Sequence, residues 1–152
     1  MNITNRISYW GDRHHPKILD LLRMLLGFFL VIKGVGFLNN AGYLRYLIIE
    51  NKVIRQSPEI INAVIDYVTY MHLLGGTLIF LGLLTRLWAL LQLPIVFGAV
   101  FFVNILSPYM NAELWLSVLV LALLFLFVII GSGPLSVDHY LAGIRMDKKK
   151  KL

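Results

Sequence analysis

Four long apolar stretches constrain this chain more than any other feature of its sequence. They run over Ile18–Leu38, Val64–Leu84, Leu87–Leu106 and Leu114–Ile130. A helix needs about 20 mostly apolar residues to cross a bilayer, and each stretch is close to that length. The sequence therefore predicts an all-α polytopic membrane protein built as a bundle of four transmembrane helices.

The composition excludes several kinds of chemistry. The chain has no cysteine, so its own residues cannot exchange disulfides or bind a metal through thiolates. The four histidines are scattered, so we expect no metal site and no intrinsic cofactor. The net charge of +6 sits mainly at the ends of the apolar stretches, where cations orient helices, so we expect no nucleic-acid partner.

The distribution of cations predicts which ends of the helices face the cytoplasm. Lysine and arginine concentrate in cytoplasmic loops of membrane proteins. Three of these residues, Arg45, Lys52 and Arg55, lie between the first two stretches. Nine lie on the other side of the membrane: Arg6, Arg13, Lys17, Arg86, Arg145 and Lys148 to Lys151. We therefore predict a multi-pass protein with both termini in the cytoplasm, and contact between its cations and membrane lipid.

This orientation divides the chain into three parts. Residues 1–17 form a polar cytoplasmic segment that lacks the features of a cleavable signal peptide, so the first apolar stretch should remain as an anchor. Residues 18–141 form the membrane domain, and residues 142–152 form a basic cytoplasmic tail.

Residues 39–56 are too polar to span. Tyr43, Leu44, Leu47 and Ile48 recur at helical spacing, which predicts a short amphipathic helix between the first and second transmembrane helices. It would lie at the bilayer surface or pack on the bundle as an ordinary helical loop. The triplet Ser57-Pro58-Glu59 then predicts a helix start, with Ser57 as the capping residue.

Four charged residues are predicted to meet at the cytoplasmic end of the bundle. They are Asp20, Arg23, Arg86 and Asp138. Charges within a membrane are costly, so they pair with each other or with backbone carbonyls, or serve a function. Asp20 and Arg23 are three residues apart, and therefore neighbours on a helix. A structural role that ties the helices together is favoured over a catalytic one, and no catalytic residue is identified.

A second group of polar residues is predicted near the outer leaflet. Lys33 lies towards the outer end of the first helix, and Asp66, Tyr70 and His72 lie in the outer half of the second. Lys33 and His72 could reach similar depths and donate hydrogen bonds to a quinone carbonyl or hold an acidic headgroup. The alternative is a lysine that extends to the headgroups and a histidine bonded within its own helix.

Several motifs in this order are typical of one family. The first helix has an arginine followed by Leu26-Gly27 and Lys33-Gly34. The second ends in a glycine-rich run over residues 75–86, and the fourth ends in a Gly-Ser-Gly-Pro-Leu-Ser-Val-Asp run over residues 131–138. Over residues 18–141 the chain resembles the DoxX family of small four-helix bacterial membrane proteins.

The resemblance implies a bacterial inner-membrane protein associated with redox chemistry. Relatives are linked to a thiosulfate–quinone oxidoreductase, as its membrane subunit, or to oxidoreductase assemblies that handle oxidative stress. Many relatives carry an acid near the position of His72, so this chain departs from the family pattern there. The segment over residues 39–63 is also longer and more polar than the resemblance leads us to expect.

Three functions follow as expectations. The leading one is a membrane subunit of a quinone-linked redox complex, in which the chemistry belongs to a cofactor or partner. The second is a non-catalytic anchor or assembly factor that contacts a protein partner through residues 39–63 or the basic tail. The third is a carrier of a lipid or small molecule, which would require a homo-oligomer because four helices are few for a transport pathway.

Overall fold

The protein is helical throughout the part of the chain that the structure, a computed structural model, describes. This part comprises residues 17–50, 57–101, 112–141 and 144. The helices in chain order are α1 (Lys17–Asn39), α2 (Ala41–Glu50), α3 (Pro58–Leu81), α4 (Thr85–Gly98) and α5 (Ala112–Ile130). No strand occurs in these ranges, which confirms the predicted all-α class.

The predicted apolar stretches lie in helices. By length and composition, α1 and α3 can each cross a bilayer, with mean hydropathies of 2.0 and 1.4 in their most apolar windows. Two shorter apolar helices accompany them, over Thr85–Phe101 and Leu114–Ile130. Residues 102–111, where the third predicted stretch ends, lie outside the described ranges. The number of crossings therefore stays a prediction.

One apolar core joins the four long helices. Its buried members come from each of them: Leu26 and Leu30, Ile79, Ala89 and Val96, and Val120, Leu124 and Phe127. The opposite faces of these helices expose large apolar side chains, as expected where the surrounding solvent is lipid. The bundle thus has a packed interior and an apolar exterior.

Glycines bring α1 and α3 into backbone contact. A Cβ atom at Gly27 would lie 2.5 Å from the Phe80 nitrogen and 2.7 Å from the Gly76 oxygen. Gly75 faces the other neighbour of α3, because a Cβ there would lie 2.8 Å from the Gln92 side-chain nitrogen on α4. The two consecutive glycines therefore let α3 pack closely against α1 on one side and α4 on the other.

The amphipathic segment forms α2 and packs on α3. Leu44 and Ile48 are buried against Ile61 and Ile65. The Arg45 guanidinium also donates a hydrogen bond to the Asn62 side chain. These contacts favour the second of the two readings, a helix packed on the bundle. Residues 51–56, which complete the predicted segment, lie outside the described ranges.

Some helix ends differ from the sequence signals: α3 ends at Leu81 and α4 begins at Thr85, whereas the apolar stretches predicted an end at Leu84 and a start at Leu87. Helix α3 begins at Pro58, but the Ser57 side chain makes no capping hydrogen bond. Instead the Ser57 carbonyl accepts from the N–H groups of Ile60 and Ile61. The predicted serine cap is therefore wrong. The start of α3 is exposed, so its remaining N–H donors can bind water. Residues 1–16 and 145–152, with most of the basic tail, lie outside the described ranges.

Candidate functional site

Arg23 is a fully buried cation that binds the end of another helix. It is 0% exposed. Its Nη1 donates to the Ile79 carbonyl at 2.7 Å and to the Phe80 carbonyl at 2.9 Å. The last carbonyls of a helix lack partners within the helix and carry partial negative charge. Arg23 on α1 therefore caps the C-terminus of α3.

Asp20 extends this contact to the segment that follows α5. Its Oδ1 lies 3.7 Å from Arg23 Nη2, and its Oδ2 accepts from the Leu135 N–H at 3.3 Å. Arg23 Nη2 donates to the Leu135 carbonyl at 2.8 Å. Asp20 and Arg23 thus bind both backbone groups of one residue. This pair joins α1, α3 and the segment after α5 at one end of the bundle.

Gly82 makes room for the arginine. It follows the last residue of α3 in the left-handed conformation, with φ of 72°. A Cβ there would lie 2.5 Å from Arg23 Nη1 and 2.6 Å from the Ser136 Cβ. The glycine predicted from the family motif is therefore required both by its backbone angle and by the neighbouring guanidinium.

Arg86 and Asp138 make a second set of hydrogen bonds to backbone groups at the same end of the bundle. Arg86 Nη2 donates to the carbonyls of Ile129 and Ile130 at 3.2 and 3.1 Å, so it caps the C-terminus of α5. Asp138 Oδ2 accepts from the Leu84 N–H at 2.8 Å, and the Asp138 N–H donates to the Gly82 carbonyl at 3.3 Å. The structure thus brings the four predicted residues to one end of the bundle. They bind mainly backbone groups there.

The turn held by Asp138 contains a strained residue. Leu84 has φ of 49°, and it is the only described residue other than glycine with a positive φ. This conformation costs an L-residue about 1–2 kcal/mol. The Leu84 side chain is 54% exposed, so it contributes little packing that would offset the strain. The reciprocal hydrogen bonds with Asp138 hold the strained backbone in place.

Replacement of Leu84 by glycine should therefore be tolerated. We expect Leu84→Gly to leave the free energy of unfolding unchanged or to raise it by up to about 1 kcal/mol, because relief of strain offsets the greater freedom of glycine in the unfolded chain. Leu90→Gly is the matched control, since Leu90 is also 54% exposed but lies within α4. The free energy of unfolding of Leu90→Gly should be lower than that of the wild type by about 1 kcal/mol. Unfolding in detergent micelles measures both, and equal losses would contradict the prediction.

His72 lies at the buried interface between α1 and α3. It is 7% exposed, and its Nδ1 lies 2.9 Å from the Val68 carbonyl in its own helix. The imidazole ring stands edge-on to the Phe37 ring, with 5.4 Å between centroids. On the same side of α1, Lys33 Nζ lies 5.9 Å from the centroid of the Phe29 ring, within the range of a cation–π contact.

The structure does not bring all four outer residues together. Tyr70 is 64% exposed, and Asp66 is also exposed. Both lie on a face of α3 that points away from the buried His72. The separation of Tyr70 from His72 follows from helical geometry, because side chains two residues apart in an α-helix point in directions that differ by about 200°. Lys33 and His72 remain the candidate ligand contacts at the α1–α3 interface.

Two buried polar residues of α4 add to this picture. Gln92, 0% exposed, donates from Nε2 to the Met71 carbonyl at 2.7 Å and so joins α4 to α3, as its place in an apolar stretch leads one to expect. Thr85 is 1% exposed, and its Oγ1 has no hydrogen-bond partner. No sequence signal marked Thr85, because a threonine at a helix start is ordinary.

The ranges that the structure describes contain no group of three or more His, Asp or Glu side chains that could hold a metal ion. Comparison with models of known protein families identifies a relationship. A family model described as DoxX matches residues 18–105. This match confirms the resemblance found in the sequence. No curated protein and no solved structure matches the chain.

Proposed function

The chain belongs to the DoxX family, and on that premise we propose that it is a multi-pass subunit of the bacterial inner membrane. It crosses the membrane four times and has both termini in the cytoplasm. The family and the apolar helices support membrane insertion. The concentration of lysine and arginine supports the orientation.

We further propose that it serves a quinone-linked redox complex and binds the quinone, or a similar amphiphile, at the outer end of the α1–α3 interface. One observation carries this proposal: the buried His72 packs edge-on against Phe37 of α1, one helical turn from Lys33 on the same helix. An ionisable group within a transmembrane helix is costly and is retained mainly where it has a function. Lys33 and His72 are the ligand contacts.

The geometry of His72 refines which redox form it recognises. A carbonyl only accepts hydrogen bonds, so Nδ1 must carry the proton that it donates to Val68. In the neutral imidazole Nε2 is then an acceptor. The Nε2 atom of His72 would therefore accept a hydrogen bond from a quinol hydroxyl. Lys33, a donor, would bind the opposite oxygen of the ring.

The chain supplies the binding site, and the redox centre belongs to a partner. It has no cysteine, and no catalytic residue is identified. A quinone carries out its own redox chemistry, while the surrounding protein orients it and tunes its electronics. We accordingly describe the protein as a redox-associated membrane subunit rather than as a complete enzyme.

Substitution of the two ligand contacts tests this proposal. His72→Leu and Lys33→Leu should each weaken binding of a short-chain quinol about tenfold, because each removes a hydrogen bond worth about 1.4 kcal/mol. Tyr70→Leu is the control, since Tyr70 lies two residues from His72 but is exposed. Binding is measured with the purified protein in lipid nanodiscs. Unchanged affinity in both His72→Leu and Lys33→Leu would refute the quinol site.

A second candidate function is a non-catalytic anchor or assembly factor, and the exposed face of α2 favours it. Leu44 and Ile48 bind α2 to the bundle, whereas Tyr43, Tyr46 and Ile49 on its other face are 54%, 59% and 52% exposed. Aromatic residues on an exposed helix suit either the membrane interface or a protein partner. A stoichiometric partner that co-purifies from native membranes without bound quinone would support this candidate over the first.

A further inference from the structure

The segment that follows α5 turns into a short helix with an ordered start. Ser136 Oγ donates to the Gly133 carbonyl at 2.6 Å and accepts from the His139 N–H at 3.2 Å. The Tyr140 N–H donates to the Ser136 carbonyl at 3.2 Å. Residues 137–141 are helical, as is residue 144. Ser136 is therefore the N-cap of this helical segment.

Hydrogen bonds fix the start of the segment to the bundle. The Asp138 N–H donates to the Gly82 carbonyl, and Asp138 Oδ2 accepts from the Leu84 N–H. Both backbone groups of Leu135 bind side chains of α1. The segment therefore leaves the bundle from a defined position, beside the end of α3.

An apolar stripe runs along one face of this segment. Its members are Val137, Tyr140, Leu141 and Ile144. Offsets of three, four and seven residues are those of a single helix face. All four side chains are exposed, and Tyr140 is 71% exposed. The described part of the bundle therefore leaves an apolar helix face uncovered.

The stripe is continuous with the exposed apolar surface of α3. Val137 and Tyr140 line a largely apolar cleft of about 400 Å³ together with Leu81 and Pro134. Leu81 is the last residue of α3 and is exposed, and α3 is long and apolar enough to cross a bilayer. The end of a transmembrane helix lies near the boundary between the hydrocarbon core and the headgroups. The stripe therefore begins at the depth of the membrane interface.

Cations dominate the sequence directly after the stripe. Arg145 and Lys148 to Lys151 supply five positive charges, against the single acid Asp147. An apolar helix face next to a basic run is typical of segments that lie in the membrane interface and bind anionic lipid. A protein partner explains the arrangement less well, because the stripe adjoins the exposed apolar end of α3 rather than a polar surface.

We propose that the segment after α5 lies in the cytoplasmic interface of the membrane and binds anionic phospholipid. The stripe enters the boundary between headgroups and acyl chains, and the cleft beside Leu81 accepts the upper part of an acyl chain. The basic residues contact the acidic headgroups. This inference rests on the membrane insertion proposed above, and it adds a class of lipid and a binding surface to it.

Spin labels at two neighbouring positions test where the segment lies. The chain has no cysteine, so Leu141→Cys and His139→Cys each provide a single labelling site. Both residues are exposed, and they lie two residues apart, so they point to nearly opposite sides of the helix. In nanodiscs of phosphatidylcholine and phosphatidylglycerol, the label in Leu141→Cys should collide mainly with oxygen, and the label in His139→Cys mainly with an aqueous nickel chelate. Equal access of the chelate to both labels would overturn the proposal, and is the result that a surface for a protein partner predicts.

Removal of the lysine run tests the preference for anionic lipid. In protein labelled through Leu141→Cys, addition of phosphatidylglycerol to phosphatidylcholine nanodiscs should shift the label towards the membrane by about tenfold in its partition. The shift should largely disappear when Lys148 to Lys151 are all replaced by Gln. Replacement of Arg45, Lys52 and Arg55 by Gln is the control, because these cations lie between α1 and α3, away from this segment. An equal shift with and without the lysine run would contradict the anionic-lipid site.

These outcomes separate the inference from the proposed function. The measurements use no quinol, and the substituted residues lie away from the Lys33 and His72 contacts. Both leaflets of a nanodisc have the same composition, so the result does not depend on which end of the bundle faces the cytoplasm. A protein that fails to enter nanodiscs would contradict the proposed membrane insertion as well, whereas a Leu141→Cys label that stays in water would contradict this inference alone.

Discussion

Arg23→Met should cause one of the two largest losses of stability in this protein, about 3–5 kcal/mol in the free energy of unfolding. The substitution keeps an unbranched side chain but removes three hydrogen bonds to backbone carbonyls. It also leaves the carboxylate of Asp20, which is 0% exposed, without its cation. An unpaired buried charge costs more than the pair contributes when it is intact. Denaturation in mixed detergent micelles, followed by circular dichroism, measures the loss.

Two further variants separate the role of Arg23 from a general effect of charge removal. Arg45→Met should lose less than about 1 kcal/mol, because the bond of Arg45 to Asn62 is exposed. The double variant Asp20→Asn with Arg23→Met should be more stable than Arg23→Met alone, since it leaves no unpaired charge. Similar losses in Arg23→Met and Arg45→Met would show that the buried arginine does not hold the helix ends together.

Gly27→Ala should cause the other large loss, because it pushes α1 away from α3. The added Cβ would lie 2.5 Å from the Phe80 nitrogen and 2.7 Å from the Gly76 oxygen, and backbone atoms cannot rotate aside. Overpacking of this kind typically costs about 1–3 kcal/mol, and more where a whole helix must move. The shift would also separate Arg23 from the carbonyls at the end of α3, which adds to the expected loss.

Gly36→Ala provides the control within the same helix. A Cβ at Gly36 would meet nothing within 4 Å. Because alanine favours a helix over glycine by about 1 kcal/mol, this variant should be as stable as the wild type or slightly more stable. Thermal unfolding of Gly27→Ala and Gly36→Ala in the same detergent compares their stabilities. A Gly27→Ala protein as stable as Gly36→Ala would show that the close approach of α1 and α3 does not limit stability.

The sequence predicted the helices well because their signals are local. Apolar length marked all four long helices, and the pattern of Leu44 and Ile48 marked α2. Proline and acid at the start of α3, and the Gly-Ser-Gly-Pro run after α5, set their boundaries correctly. The predicted third stretch, Leu87–Leu106, already ran through Pro94, and Pro94 lies inside α4. A proline ends most helices, but the bundle supplies the packing that keeps this one continuous.

The polar residues were harder to interpret, because their partners carry no sequence signal. Charge in an apolar stretch was enough to mark Arg23 and Asp20, yet Arg23 binds carbonyls of Ile79, Phe80 and Leu135, which any residue could provide. Nor could the sequence show that the Thr85 hydroxyl would be buried without a partner. The grouping of Tyr70 with His72 did contradict a rule already available, since residues two apart on a helix do not share a face.

The contact between Arg23 and Leu135 also bears on how the protein is made. A ribosome delivers the chain to the membrane from its N-terminus, and Leu135 lies 112 residues after Arg23. During synthesis α1 must therefore carry a cation and an acid before their last partner exists. Until then Asp20, three residues away, is the local group that can neutralise the guanidinium. The final segment closes the polar end of the bundle, so a nascent chain that stops short of it would leave a buried charge incompletely bound and open to recognition by quality-control proteases.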